Sequence, residues 1–305
     1  MISVIIPVYR DANRAMALAE ILCQQQLPTG CPLEIIVVDD GSGDGTTTTL
    51  RRIESRQVRI LALPQNRGRA HARSAGAYQA RGSFLVFIDC DCQPTNSGFL
   101  AAHLRRLEGS CIATCGPVIG NGSGFWSRYQ QVASARRRQL HSRGITYAGS
   151  TQNFAVRRSA FLSAGGFDTR YRDYGFEDRD LFVRLARIGE IGWCADATVR
   201  HLDELDLPSA LEKMRLAAGD SAVLFSRDHP EAYRALGYAA IDARLHVWLR
   251  PISALLKPLL RAAPPLDRQL KRGRMPFALA KATVKLLAAL AFARGSAEKR
   301  PERSL

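Results

Sequence analysis

Phe84-Leu85-Val86-Phe87-Ile88-Asp89-Cys90-Asp91-Cys92 is the stretch on which the reading of this chain turns. It begins with an unbroken apolar run, mostly aromatic or β-branched. A run with no polar alternation reads as a strand covered on both faces, as in a parallel sheet sandwiched by helices. The apolar character stops at Asp89, and a second carboxylate follows at Asp91.

The same form recurs upstream. Val4-Ile5-Ile6-Pro7-Val8 and Leu33-Glu34-Ile35-Ile36-Val37-Val38 are strands ending on Tyr9 and on Asp39-Asp40-Gly41-Ser42, and Val58 to Leu63 is a third. Between them lie helical patterns over Ala12–Gln26, Thr46–Arg56 and Gly68–Arg81, the last closed by Gly82. Strand–helix repetition with short connections predicts an α/β fold with a mostly parallel central sheet. In such sheets ligands sit beyond the C-terminal strand ends. Pro7-Val8-Tyr9, Asp39-Asp40 and Asp89-Cys90-Asp91 all stand there.

The pattern loosens after residue 92. Helices are expected over Phe99–Leu107, Trp126–His141 and Asp178–Ile188, with short extended segments at Thr151–Arg157 and Val199–Leu202. Gly116 to Gly124 reads as irregular, and from Pro208 the chain reads as helical pieces cut by Pro251, Pro258, Pro264-Pro265 and Pro276. The expected organisation is an α/β domain over 1–205, with halves at 1–92 and 93–205. A helical, basic region follows over 206–305.

The 305 residues carry 43 Lys and Arg against 28 Asp and Glu, a formal charge of +15, with 46% hydrophobic residues. That composition excludes a disordered tail, a coiled coil and a small disulfide scaffold. The N-terminus has no basic segment before its short apolar run, so no signal peptide is read there. With seven cysteines, an odd number, reduced cytosolic thiols are expected. Cys90-x-Cys92 and the distant Cys111 and Cys115 are poorly spaced for a closed zinc site.

Asp89 and Asp91 would point the same way if the strand geometry continued past Ile88. Two hard oxygen ligands with open positions suit Mg²⁺ or Mn²⁺ holding a diphosphate. Asp39 to Thr46 is not an EF-hand, because the twelfth position from Asp40 is Arg51 and a strand precedes it. Neither a P-loop nor a G-x-G-x-x-G follows the first strand. A nucleotidyltransferase of related fold would favour a Gly-rich, basic loop there, which Pro7-Val8-Tyr9 does not supply. Glu177 and Asp178 open a helix, where acids serve as caps or as a general base.

Taken together, the ordered pieces resemble the family 2 glycosyltransferases with the GT-A fold. They are Val4 to Tyr9, Val37 to Ser42, Asn66-Arg67-Gly68 with Ala72-Arg73, Asp89-Cys90-Asp91, Thr151 to Arg158, Gly165 to Asp168 and Tyr174 to Leu181. The resemblance implies an inverting transferase that moves a sugar from a nucleotide-sugar, expected to be a UDP-sugar, to a hydroxyl of a glycan or lipid-linked acceptor in cell-envelope polysaccharide synthesis. By the same resemblance Pro7, Tyr9, Asp39, Asp40, Arg73 and Asp89 meet the donor. Asp91 and Asp89, with His201, hold the Mg²⁺ or Mn²⁺. Asp178 is the catalytic base, with Glu177 and Asp180 beside it, and the resemblance makes 1–205 the catalytic domain, 1–92 its nucleotide-binding half and 93–205 its acceptor-binding half.

From Ala240 onward, fourteen basic residues face four acidic ones, a net +10. The apolar run from Pro276 to Ala293 is broken by Lys281 and Lys285, so an interfacial helix fits better than a membrane span. Leu245 to Leu260, with Trp248, reads as a second such helix. An anionic membrane surface engaging 245–293, on the cytoplasmic face, is therefore the expected partner. Packing of both helices on the protein itself is the alternative. Arg136-Arg137-Arg138 permits nucleic-acid binding, but no zinc finger, RNP or helix-turn-helix signature accompanies it, so no nucleic acid is expected.

Overall fold

The computed structural model describes residues 1–254 and 262–298, without the side chains of 252–254. The chain forms two compact units. One comprises Met1–Asn121, Gln131–Arg170 and Asp178–Asp203. The other comprises Gly122–Gln130, Tyr171–Glu177 and the chain from Glu204 onward.

The first unit begins with β1 (Ile2–Val8), α1 (Ala12–Cys23), β2 (Leu33–Asp39), α2 (Thr46–Leu50), β3 (Val58–Ala62), α3 (Arg69–Gln79) and β4 (Phe84–Ile88). β1 pairs in parallel with β2 on one side and β4 on the other, and β2 carries β3. The chain therefore winds outward from β1 to β3, then returns to the opposite side as β4. The crevice between β1 and β4 is a topological switch point, where such sheets bind ligands. Because these strands are apolar on both faces, each face needs its own cover. Val4, Ile6, Ile35 and Val37 join Leu18 and Leu22 of α1 in one core. Ile5, Ile36, Val38 and Phe87 join Ala72 and Ala77 of α3 in the other. Gly76 sets how closely α3 approaches, since a Cβ there would lie 2.7 Å from Ile5 Cγ2 and 2.9 Å from Val38 Cγ2.

Beyond β4 come β5 (Cys92–Pro94), α4 (Phe99–Glu108), β6 (Ala113–Cys115), β7 (Val118–Gly120), α5 (Phe125–His141), β8 (Asn153–Arg157), α6 (Arg158–Ser163), α7 (Glu177–Ala186), β9 (Ile191–Trp193) and β10 (Val199–His201). The large sheet has the order β3-β2-β1-β4-β8-β6-β9 and is mostly parallel, with β8 antiparallel to both its neighbours. A small sheet, β5-β10-β7, stands apart from it. The segment expected to be irregular, Gly116 to Gly124, thus contains a strand, β7. Three residues are too few to carry a periodic signal.

Asp89 and Asp91 are a second departure. The strand ends at Ile88, and a turn follows in which Cys92 N–H donates to the Asp89 carbonyl at 2.9 Å. The two carboxylates are therefore placed by a turn, not by strand alternation.

A fully buried polar cluster supports this half. Asn153 Nδ2 donates to the carbonyls of Pro117 and Ala197, at 2.9 and 2.7 Å. Its Oδ1 accepts from His103 Nε2 at 2.9 Å, and His103 Nδ1 meets Thr114 Oγ1 at 2.7 Å. That pattern is satisfied by a neutral imidazole, and burial lowers the His103 pKa to about 4.

The second unit is helical. α8 (Leu207–Ala217) packs with the helices Ala263–Lys271 and Phe277–Glu298 through Leu207, Leu211, Leu270, Val284 and Leu287. Asp267 accepts from Trp126 Nε1 at 2.8 Å and from Leu207 N–H at 2.9 Å. Leu245 to Leu260 is not one continuous helix. Turns precede a short helix, Leu249–Ala254, and 255–261 lie outside the described residues. No helix among the described residues is long and apolar enough to cross a membrane.

Candidate functional site

A cleft of about 390 Å³ opens at the C-terminal ends of β1, β2 and β4. Its walls include Pro7, Tyr9, Asp40, Asn66, Asp89 and Asp91, with Arg14, Arg69 and Asp203 at its edge. Tyr9 is 43% exposed, and the Arg10 guanidinium lies over its ring, 4.9 Å from the centroid. Arg10 has φ 57°, an uncommon value for a residue with a side chain. Its N–H donates to Ser42 Oγ at 2.8 Å, which ties the loop after β1 to the loop after β2.

The adjacent acids after β2 divide the work. Asp39 turns inward, accepting from Ser42 N–H at 3.1 Å, from Ser42 Oγ and from Thr47 Oγ1, and so shapes the turn. Asp40 faces the cleft and accepts from Arg67 N–H at 3.1 Å and Gly68 N–H at 2.9 Å. Burial pushes its pKa up, and those two N–H groups only partly offset the effect. The close loop contact depends on Gly41, at φ 66°, where a Cβ would stand 2.3 Å from the carbonyl carbon of Gln65.

Arg73 sits beneath the cleft, 1% exposed. Its Nη2 pairs with Asp89 Oδ1 at 2.6 Å, and its Nη1 lies 3.5 Å from Asp178 Oδ1. One guanidinium thus joins the acid after β4 to the acid at the start of α7. Asp178 is further fixed by Thr151, whose Oγ1 donates to Oδ1 at 2.7 Å and whose N–H donates to Oδ2 at 3.1 Å. Asp180 is committed elsewhere. It is buried and paired with Arg184 one turn along α7, and Arg184 also donates to the Ala164 carbonyl. Glu177 is buried at the first position of α7.

His201 reaches the cleft through the small sheet. It is paired opposite Cys92, which places its Nε2 3.4 Å from Asp91 Oδ2. Leu202 N–H donates to the Asp91 carbonyl at 2.7 Å, and His201 Nδ1 meets the Asp203 carbonyl at 3.1 Å. Burial disfavours both charged forms, but the contact prevails, lowering the Asp91 pKa and raising that of His201. The spacing suits two neighbouring ligands of one octahedral ion, which stand about 3 Å apart when each bond is about 2.1 Å. Among the described residues no group of three or more His, Cys, Asp or Glu forms a metal cage. An ion here would complete its shell from phosphate oxygens and water.

Arg14 and Asp203, paired at 2.6 Å on the cleft edge, escape sequence reasoning. Arg14 reads as an ordinary polar position of an amphipathic helix, and Asp203 follows a three-residue strand with no pattern of its own. Thr151 carries no chemical signature of its own in the sequence. Its proximity to Asp178 is a tertiary fact across 27 residues of sequence.

The family model "Glycosyl transferase family 2" matches residues 3–165, more than half of the chain, and the chain belongs to that family. It is 28% identical over 172 residues to glycosyltransferase AglE of Haloferax volcanii, covering 54% of this chain and 55% of that protein. It is 25% identical over 231 residues to an undecaprenyl-phosphate 4-deoxy-4-formamido-L-arabinose transferase of Pseudomonas aeruginosa, covering 71% of this chain and 62% of that one. The chain thus spans less than two thirds of the length of either relative. Among solved structures, the mannosyltransferase PcManGT from Pyrobaculum calidifontis, in complex with GDP-Man and Mn²⁺, superposes with a TM-score of 0.60. That match is 21% identical and covers 97% of this chain and 86% of PcManGT. The fold is GT-A.

Proposed function

We propose that this protein is an inverting glycosyltransferase that uses a nucleotide-sugar and a divalent metal ion to glycosylate a hydroxyl of a glycan or lipid-linked acceptor. The observation that carries this reading is the chain of side chains Asp89–Arg73–Asp178. It links a carboxylate in the cleft to a second, oriented carboxylate outside the turn that bears it.

Asp40 and Tyr9 bind the nucleoside end of the donor, and Asp89 the ribose or the metal. Asp91 and His201 hold the ion. A nitrogen ligand is poor for Mg²⁺ and acceptable for Mn²⁺, which favours manganese. When bound, the metal neutralises charge on the diphosphate leaving group. Thr151 holds Asp178 in one orientation. Asp178 takes the proton of the acceptor hydroxyl, the acceptor oxygen bonds to the anomeric carbon, and the bond to the diphosphate breaks with its electron pair leaving on oxygen. A single displacement inverts the configuration and needs no carboxylate nucleophile, unlike a retaining glycosidase. Arg73 acts as a positioning residue, holding donor and base carboxylates at a fixed separation. The name of the Pseudomonas relative, an undecaprenyl-phosphate sugar transferase, supports a lipid-linked acceptor.

The test is a panel of UDP-, GDP- and dTDP-sugars with Mn²⁺ or Mg²⁺ and membrane extract, reading nucleoside diphosphate release. Asp91→Asn should abolish metal-dependent transfer. Asp178→Asn should retain nucleotide binding while transfer falls at least about 100-fold. Near-normal turnover by Asp178→Asn would remove it as the base, and absence of both binding and release across the panel would overturn the reading.

A further inference from the structure

The helix Phe277–Glu298 buries one side and leaves another open. Ala280, Val284, Leu287 and Ala291 pack into the core of the second unit with α8. On a different face, Leu279 is 56% and Leu286 60% exposed, and Ala282 between them is also exposed. At about 100° per residue these three lie within about 60° of arc, and the same face continues through Ala289 to Ala293 and Ala297. There the covering changes, because Ala293 and Ala297 pack against Ala243 and Leu249. The segment between Ala243 and Leu249 carries three further exposed apolar side chains, Leu245 at 60%, Val247 at 63% and Trp248 at 62%. The exposed Leu245–Trp248 segment thus adjoins the C-terminal end of the helix face that carries Leu279 and Leu286.

Such a line of exposed apolar residues is not ordinary surface. Exposed Lys285 lies about 60° beyond Ala282 around the helix, at one margin of this face, and Lys281 lies about 40° further round. The region from Ala240 onward carries a net +10. We propose that this stripe, Leu279–Ala282–Leu286 with the Leu245–Trp248 tip, lies on an anionic lipid bilayer, its leucines and tryptophan entering the headgroup boundary and its lysines meeting lipid phosphates. The charge selects this occupant. A second copy would oppose the same positive excess to itself, whereas an anionic leaflet complements it. The helix lies along the surface and does not cross the bilayer, in keeping with the lack of a spanning helix among the described residues.

The experiment is flotation of the whole chain with phosphatidylcholine vesicles, with and without about 30% phosphatidylglycerol, and no donor present. It is therefore independent of the transferase reading, which nucleoside diphosphate release tests separately. The unaltered chain should float with anionic vesicles at least tenfold more than with neutral ones. Leu279→Glu with Leu286→Glu, and separately Lys281→Glu with Lys285→Glu, should each lower binding at least tenfold. Far-UV circular dichroism and melting should stay unchanged, since none of these side chains is buried. Equal flotation of the leucine pair, or no flotation of the unaltered chain, would overturn the proposal. So would a dimer in light scattering that the leucine pair converts to monomer, which would assign the stripe to self-association.

Discussion

The cleft and the open face of the helix Phe277–Glu298 are built on opposite rules. In the cleft the acids are each held by other groups. Asp40 is gripped by two backbone N–H groups, Asp178 by both donors of Thr151, and Asp89 by Arg73. On the helix face, Leu279 and Leu286 are more than half exposed. A reacting centre needs side chains that stay in place, because a small misplacement costs rate. A surface that meets a fluid partner needs only chemical character and area. Substitutions should therefore be felt strongly in the first region and hardly at all, in stability, in the second.

The largest effect is expected at Arg73. Arg73→Met leaves two carboxylates facing each other without their shared cation, and removing one member of a buried pair costs about 3–5 kcal/mol. Urea unfolding measures it, and a loss below about 1 kcal/mol would show that the link is not structural. Next comes a pH effect in the polar cluster behind β8. His103 titrates near 4 in the folded chain because burial opposes its charge, against about 6.5 unfolded. As pH falls below 6.5 the unfolded chain takes up the proton first. The stabilisation present above that pH is therefore lost down to about 4. Between pH 7 and 4.5 the unaltered chain should lose about 2–3 kcal/mol more than His103→Gln. Parallel losses in the two would break the assignment of a buried neutral imidazole.

Gly41→Ala should cost about 1–3 kcal/mol through its positive φ, and the clash with Gln65 should also weaken nucleotide binding, as titration calorimetry would read. Smallest of all, Leu286→Gln should change unfolding stability by less than about 0.5 kcal/mol. A larger loss would mean that the open face is packed, and would erase the contrast with the cleft.

Much of the first half is legible in the sequence, for a physical reason. β1, β2 and β4 each contain a run of apolar residues that leads into a residue of the cleft, so Tyr9, Asp40 and Asp89 are located by the strands themselves. The chain beyond β4 is harder to read. β5, β6, β7, β9 and β10 are three residues each, too short for any pattern. The same limit hides the turn at Asp89–Cys92, which replaces the alternation expected there. Resemblance, not periodicity, singles out Asp178 and His201, and the link through Arg73 is invisible until α3 is laid on the sheet. The continuous helix expected over Leu245 to Leu260 fails in its first residues, where turns intervene.

The small sheet has a consequence for how this chain can change by insertion and deletion. His201 meets Asp91 only because β10 pairs with β5 in the register His201 opposite Cys92. Shift that register by one residue and either Arg200 or Leu202 takes the place, and the imidazole turns to the other face. A guanidinium has no lone pair for an ion, and a leucine has no donor atom. The stretch from Cys194 to Thr198, outwardly a plain connection, should therefore tolerate exchange of residues far better than a change in their number.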